Sequence, residues 1–173
     1  MNDYRSIFSE INSHMLQGIM MHDQLYRMFL FLRLYKFAKF HKKQYREEDT
    51  AYKNLNKYYI RKQNKFIVEN GVNASNHIIP LDWYSKTRYD LTSDEIRNAV
   101  QFSIGFWVDW ERRTKELYAA SYKKLLDFGY VAEAQHIGKL LKDVDKELSE
   151  AEDLQIRLNA IGYDLIEIMD KEK

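Results

Sequence analysis

Residues 14–37 read HMLQGIMMHDQLYRMFLFLRLYKF, and the spacing of their apolar side chains decides the fold. With no Pro, a single Gly and apolar residues recurring three and four apart, the stretch predicts a long helix with one buried face. Carried back towards residue 4, its inward positions are Phe8, Ile11, Met15, Ile19, His22, Leu25, Phe29 and Leu32. His22 therefore falls on the apolar stripe. Arg33, Lys36 and Lys39 interrupt the most apolar run at helical intervals, which suits a protein core better than a bilayer.

The rest of the chain follows the same pattern. One Pro, six Gly and no Cys among 173 residues exclude a disulfide scaffold and a thiolate metal site, and predict a single helical-bundle domain over 1–173. Without a leader-like charged-then-apolar segment or a run of 18 apolar residues, we expect a soluble, cytoplasmic protein that does not enter a membrane. The formal charge is +1, although residues 1–89 carry net +7 and residues 90–173 net −6. A basic and an acidic hairpin attracting each other within one bundle accounts for that split.

Helices are expected over about 4–36, 44–69, 93–128 and 131–170, an all-α four-helix bundle. No Gly or Pro marks the first turn, but Lys36, Lys43 and Arg46 break the apolar row and argue against one unbroken rod. The second helix places Tyr45, Tyr52, Leu55, Tyr59 and Phe66 on one side with Glu48 and Lys62, and Asn70-Gly71 is its expected stop. Residues 70–92 form a long connection holding Pro80, and either a crossover or a plain up-down bundle fits it. Leu91-Thr92-Ser93-Asp94-Glu95-Ile96 spells a capping box with a hydrophobic staple. The third helix then shows Val100, Ile104, Trp107, Glu111, Thr114, Tyr118, Tyr122 and Leu125 on one face. In the fourth, Glu147 is the only charge in the row Leu140, Val144, Ala151, Leu154, Leu158, Ile161, Leu165 and Ile168.

Three long helices thus turn a carboxylate inward, Glu48, Glu111 and Glu147, and the remaining one turns His22. A buried unpaired carboxylate costs several kcal/mol, so such groups must be paired, protonated or bound to metal. Across the short turn between the third and fourth helices, Glu111 and Glu147 fall level and are expected to face each other. A first turn near residue 36 brings Glu48 level with His22, whereas one near residue 42 brings Lys62, a cation that satisfies the carboxylates without metal.

This set of long helices, with a long middle connection and one inward carboxylate or imidazole from each, resembles the ferritin-like family. WVDWERRTKELY and DVDKELSEAE look similar to segments of ferritin-like proteins of phages and low-GC bacteria. The resemblance implies iron or manganese held by His22, Glu48, Glu111 and Glu147, with oxidation or storage as the activity, in a homo-oligomer. The family's repeated Glu-x-x-His is not reproduced; only Glu133-x-x-His136 has that form.

Two further patterns are weaker. Glu10 and His14 could meet Glu133 and His136 near one end of the bundle. RLYKFAKFHKKQYR interleaves basic and aromatic residues, yet aromatics facing a core and lysines facing water give the same pattern, so nucleic acid is not the expected partner. The alternative to metal binding is a non-catalytic assembly protein whose inward charges only fix helix register.

Overall fold

The computed structural model describes residues 4–71 and 77–164. These form four long helices, α1 (Arg5–Phe31), α2 (Tyr35–Gln63), α3 (Ser93–Asp127) and α4 (Val131–Ala160), with two short 3-10 turns at Leu81–Ser85 and Arg88–Asp90 in the middle connection. Helices α1 and α2 pack as one hairpin, α3 and α4 as another, and α1 crosses α3. The all-α four-helix bundle is as expected, while several boundaries differ.

The first turn occupies only Leu32 to Leu34, earlier and tighter than the expected 36–44 gap. Arg33 takes the left-handed conformation at φ 60°, a role usually given to Gly. Leu32 and Leu34 on either side are buried, and Leu34 N–H donates to Phe29 O at 2.9 Å, so packing holds a turn for which the sequence has no marker. Starting at Tyr35 rotates α2, and its buried row becomes Ala38, His41, Gln44, Leu55 and Tyr59. Tyr45 and Phe66 are exposed instead.

Helix α2 also ends sooner than residue 69, at Asn64, which is left-handed at φ 50°. Beyond it, the backbone bonds to α1 rather than to itself. Ser9 hydroxyl donates to Val68 O, Asn70 N–H to Ser13 Oγ at 2.8 Å, Gln17 to Gly71 O at 3.1 Å, and Ile78 N–H to Gln24 Oε1 at 2.8 Å. The connection therefore climbs α1 from its first turns towards its C-terminal end. That explains why Ser9, Asn12, Ser13 and Gln24 are buried polar residues.

Such a climb makes the connection a crossover and leaves α2 and α3 parallel. Contacts agree: His41 meets Trp107 near the start of α2, whereas Tyr58 meets His136 and Lys62 meets Glu133 at its end, so α2 runs antiparallel to α4. At the start of α3, Thr92 Oγ1 accepts from Glu95 N–H and the Glu95 carboxylate accepts from Thr92 N–H, the expected capping box. Gly129, at φ 79°, closes the turn into α4. The expected continuation of α4 to residue 170, with Leu165 and Ile168, lies partly outside the described residues; within them, the helix stops at Ala160.

Two apolar clusters fill the bundle. One gathers Met21, Leu25, Phe29, Leu34, Ile104 and Trp107 with Leu148 and Leu158; the other gathers Phe8, Ile11, Met15, Leu55 and Tyr59 with Leu125 and Ile137. Burying each large apolar side chain contributes about 1.5–3 kcal/mol, so these clusters hold the helices together. Between them, every helix contributes polar residues at one level.

Candidate functional site

That level is a polar belt. On α1 it falls around Gly18 and His22, on α2 at His41, Gln44 and Glu48, on α3 at Glu111 and Thr114, and on α4 at Glu147. All four residues proposed from sequence lie in it. The early first turn is what brings Glu48 here, and Lys62 is excluded: it lies near the far end, 3.8 Å from Glu133.

His22 is fully buried, with Nδ1 3.1 Å from His41 Nδ1 and Nε2 3.9 Å from Glu111 Oε1. Loss of solvent lowers its pKa to about 3, so it is neutral and the contact with Glu111 is not an ion pair. His41 is held in place by Phe29, stacked at 5.4 Å, and by the edge of Trp107, also at 5.4 Å. Burial, with His22 adding to it, keeps His41 neutral too. Glu111 is 1 % exposed and accepts a hydrogen bond from Trp107 Nε1 at 3.0 Å. Its pKa is pushed well up, first by desolvation and then by Glu147 and Glu48.

Three buried atoms here have no hydrogen-bond partner among the described residues: His22 Nε2, His41 Nε2 and Glu111 Oε2. Such atoms are costly in an apolar interior. Towards α4 the belt opens into a cleft of about 300 Å³ walled by Glu48, Tyr118 and Glu147. Desolvation and Glu147 raise Glu48 to about 8, and desolvation with Glu47, Asp143 and Glu150 raises Glu147 to about 7. Among the described residues, neither carboxylate accepts a hydrogen bond or joins an ion pair. No hydrogen bond joins the Tyr118 hydroxyl to the described residues, and burial with the three nearby carboxylates drives its pKa well up.

Gly18 allows this packing. A Cβ there would stand 3.3 Å from Trp110 Nε1 and 3.6 Å from Glu48 Cδ. The other candidate cluster does not assemble, because His14 stacks on Trp110 at 4.1 Å and bonds Thr114 at 2.6 Å, while Glu133 faces Lys62. His41 was missed by sequence reasoning. It lies on the row Ala38, His41, Gln44, but that row is recognisable only once the helix is known to start at Tyr35.

As the side chains stand, no three His, Asp or Glu among the described residues are grouped closely enough to hold one metal ion. No helix among the described residues is long and apolar enough to cross a membrane. No protein-family model matches the chain, and no curated protein matches it.

Proposed function

We propose that the chain is a ferritin-like bundle protein that binds iron or manganese in its polar belt, with His22, Glu48, Glu111 and Glu147 as ligands. One observation carries this reading. Carboxylates from three helices raise one another's pKa beside an imidazole nitrogen that has no partner among the described residues, and although Lys43 at the cleft mouth favours ionised Glu147, none of the three joins an ion pair with Arg or Lys among the described residues. Carboxylate oxygens with an imidazole nitrogen suit iron and manganese. The single crossover supports the same reading, since ferritin-like folds share it.

The donor chemistry fits the metal, while the resting arrangement does not yet converge. Glu48 and Glu147 would have to swing from the cleft wall towards Glu111 and His22, and no hydrogen bond or ion pair among the described residues fastens either of them. Bound there, the metal would supply redox or Lewis-acid chemistry. The chain supplies a dry pocket, a neutral imidazole and carboxyls that release protons as the ion arrives. The reading includes a cytoplasmic homo-oligomer, for which exposed Leu126, Phe128 and Val131 at the α3–α4 turn offer an apolar surface.

Metal analysis tests it. Protein produced with excess iron or manganese should carry metal, and added Mn(II) should raise the melting temperature; ligand at 100 times its Kd adds about 2.7 kcal/mol. Glu111→Gln keeps an oxygen for the Trp107 indole, so it should preserve folding and abolish binding. A second reading is favoured by the bond between His22 and His41 and by the Trp107–Glu111 bond: an assembly protein whose protonated belt only fixes register. Absence of bound metal, with melting unmoved by Mn(II), would leave that reading standing.

A further inference from the structure

The belt is not equally closed on all sides. On the α1–α3 side, the space around Gln17, Met21 and Trp110 amounts to about 20 Å³, room for one water at most. Above and below lie the two apolar clusters. Between α2 and α4 a cleft of about 300 Å³ reaches the belt.

Its walls carry five carboxylates, Glu47, Glu48, Asp143, Glu147 and Glu150, against two lysines, Lys43 and Lys146. Glu48, Tyr118 and Glu147 form the floor, while Glu47, Asp143 and Glu150 line the mouth. The two lysines present are already engaged, Lys43 with Glu47 at 3.4 Å and Lys146 with Glu150 at 3.6 Å. Asp143 has no ion pair among the described residues. A second, independent feature points inward: Tyr118 is 4 % exposed, yet it lines the cleft and its hydroxyl has no partner among the described residues.

A cleft with an excess of one sign of charge attracts counter-ions to its mouth. We propose that this α2–α4 cleft is the way in for the cation, captured as a hydrated divalent ion by Asp143, Glu147 and Glu150. The Tyr118 hydroxyl then holds one of its waters while Glu48 and Glu147 carry it inward. The carboxylates along the cleft are too spread to strip an ion of its water, but a hydrated ion can bridge them through its own shell. This inference rests on the metal reading and adds the route.

Rapid mixing of the full-length chain with Mn(II) separates the two. Asp143→Asn combined with Glu150→Gln should slow loading about tenfold at low salt, with the final stoichiometry unchanged and the difference shrinking as salt screens the mouth. Ala51→Phe, which narrows the same cleft without altering charge, should slow loading at every salt concentration. Asp145→Asn removes one negative charge from α4 outside the cleft, where Asp145 pairs with Lys115 at 2.6 Å, and should load at the wild-type rate. Circular dichroism of each variant confirms folding. Unchanged loading in both cleft variants overturns the route and leaves the metal reading intact. Failure of the wild-type chain to take up any Mn(II) overturns both.

Discussion

The apolar ends and the polar belt are built from the same four helices, but they solve opposite problems. At the ends, side chains such as Phe8, Ile11, Leu25 and Phe29 are essentially fully buried and carry no polar atom, although the Tyr4 and Tyr58 hydroxyls beside Phe8 are also buried without a partner among the described residues. In the belt, His22, His41 and Glu111 are equally buried, yet each keeps an atom without a partner. The ends therefore hold the helices in register. The belt draws on that stability to keep charged chemistry in a dry place, as functional sites commonly do.

The sharpest way to break this comparison is to hollow out one end. Phe8 is fully buried against Tyr59 at 5.3 Å and Tyr4 at 5.8 Å, so Phe8→Ala should cost about 3–5 kcal/mol. In a chain of this size that lowers the melting temperature by roughly 10 °C. Metal binding by the folded fraction should stay unchanged, because the belt is not touched. A variant that lost metal while remaining folded would show that the two regions are not separable.

Much of the ends was legible in the sequence, because apolar spacing at 3.6 residues per turn reports burial directly. The row from Val100 to Leu125 and the Thr92–Glu95 box needed nothing else. The turn at Arg33 was not legible, since a left-handed arginine between two buried leucines follows from tertiary packing and not from local propensity. From that one unmarked turn came the missed His41, the misassigned Tyr45 and the undecided place of Lys62. The end at Asn64 was hidden for a similar reason: the backbone beyond it prefers bonds to Ser9 and Ser13, which only the crossover brings near.

A pH titration sharpens the contrast at intermediate scale. Glu48 has a folded pKa of about 8 against an ordinary 4.5, so between those values the folded chain holds a proton that the unfolded chain has lost, and stability falls as pH rises. His22, at about 3 against 6.5, works the other way, and its contribution grows as pH rises from 3 to 6.5. Above pH 6.5 the imidazoles no longer change, and the carboxyls act unopposed. Denaturant midpoints should therefore decline between pH 6.5 and about 8. Glu48→Gln should flatten that limb, and saturating Mn(II) should reverse it, because the ion favours the ionised carboxylates. A limb of the same depth in Glu48→Gln would place its origin at other groups, with Glu111 and Glu147 the next to substitute.

The smallest effect is the most diagnostic, because it compares one substitution in both regions. Replacing Gly by Ala inside a helix is worth about 1 kcal/mol when nothing obstructs the new methyl. At Gly105, among the apolar residues of α3, a Cβ meets only the tip of Gln155 at 3.8 Å, an ordinary contact, so Gly105→Ala should gain nearly that amount. At Gly18 the new atom comes within 3.3 Å of the Trp110 indole, which cannot retreat easily. His14 is stacked flat on that ring at 4.1 Å, and the Arg113 guanidinium lies over it at 5.6 Å. The propensity gain should be cancelled, leaving Gly18→Ala level with the wild type or slightly below it in melting temperature. It should also steepen the alkaline limb, because the same methyl, 3.6 Å from Glu48 Cδ, removes water from that carboxyl and makes its ionisation costlier. Equal gains at both glycines would mean that the belt has slack, and that its unpartnered atoms are tolerated by loose packing and not held in place by design of the surrounding helices.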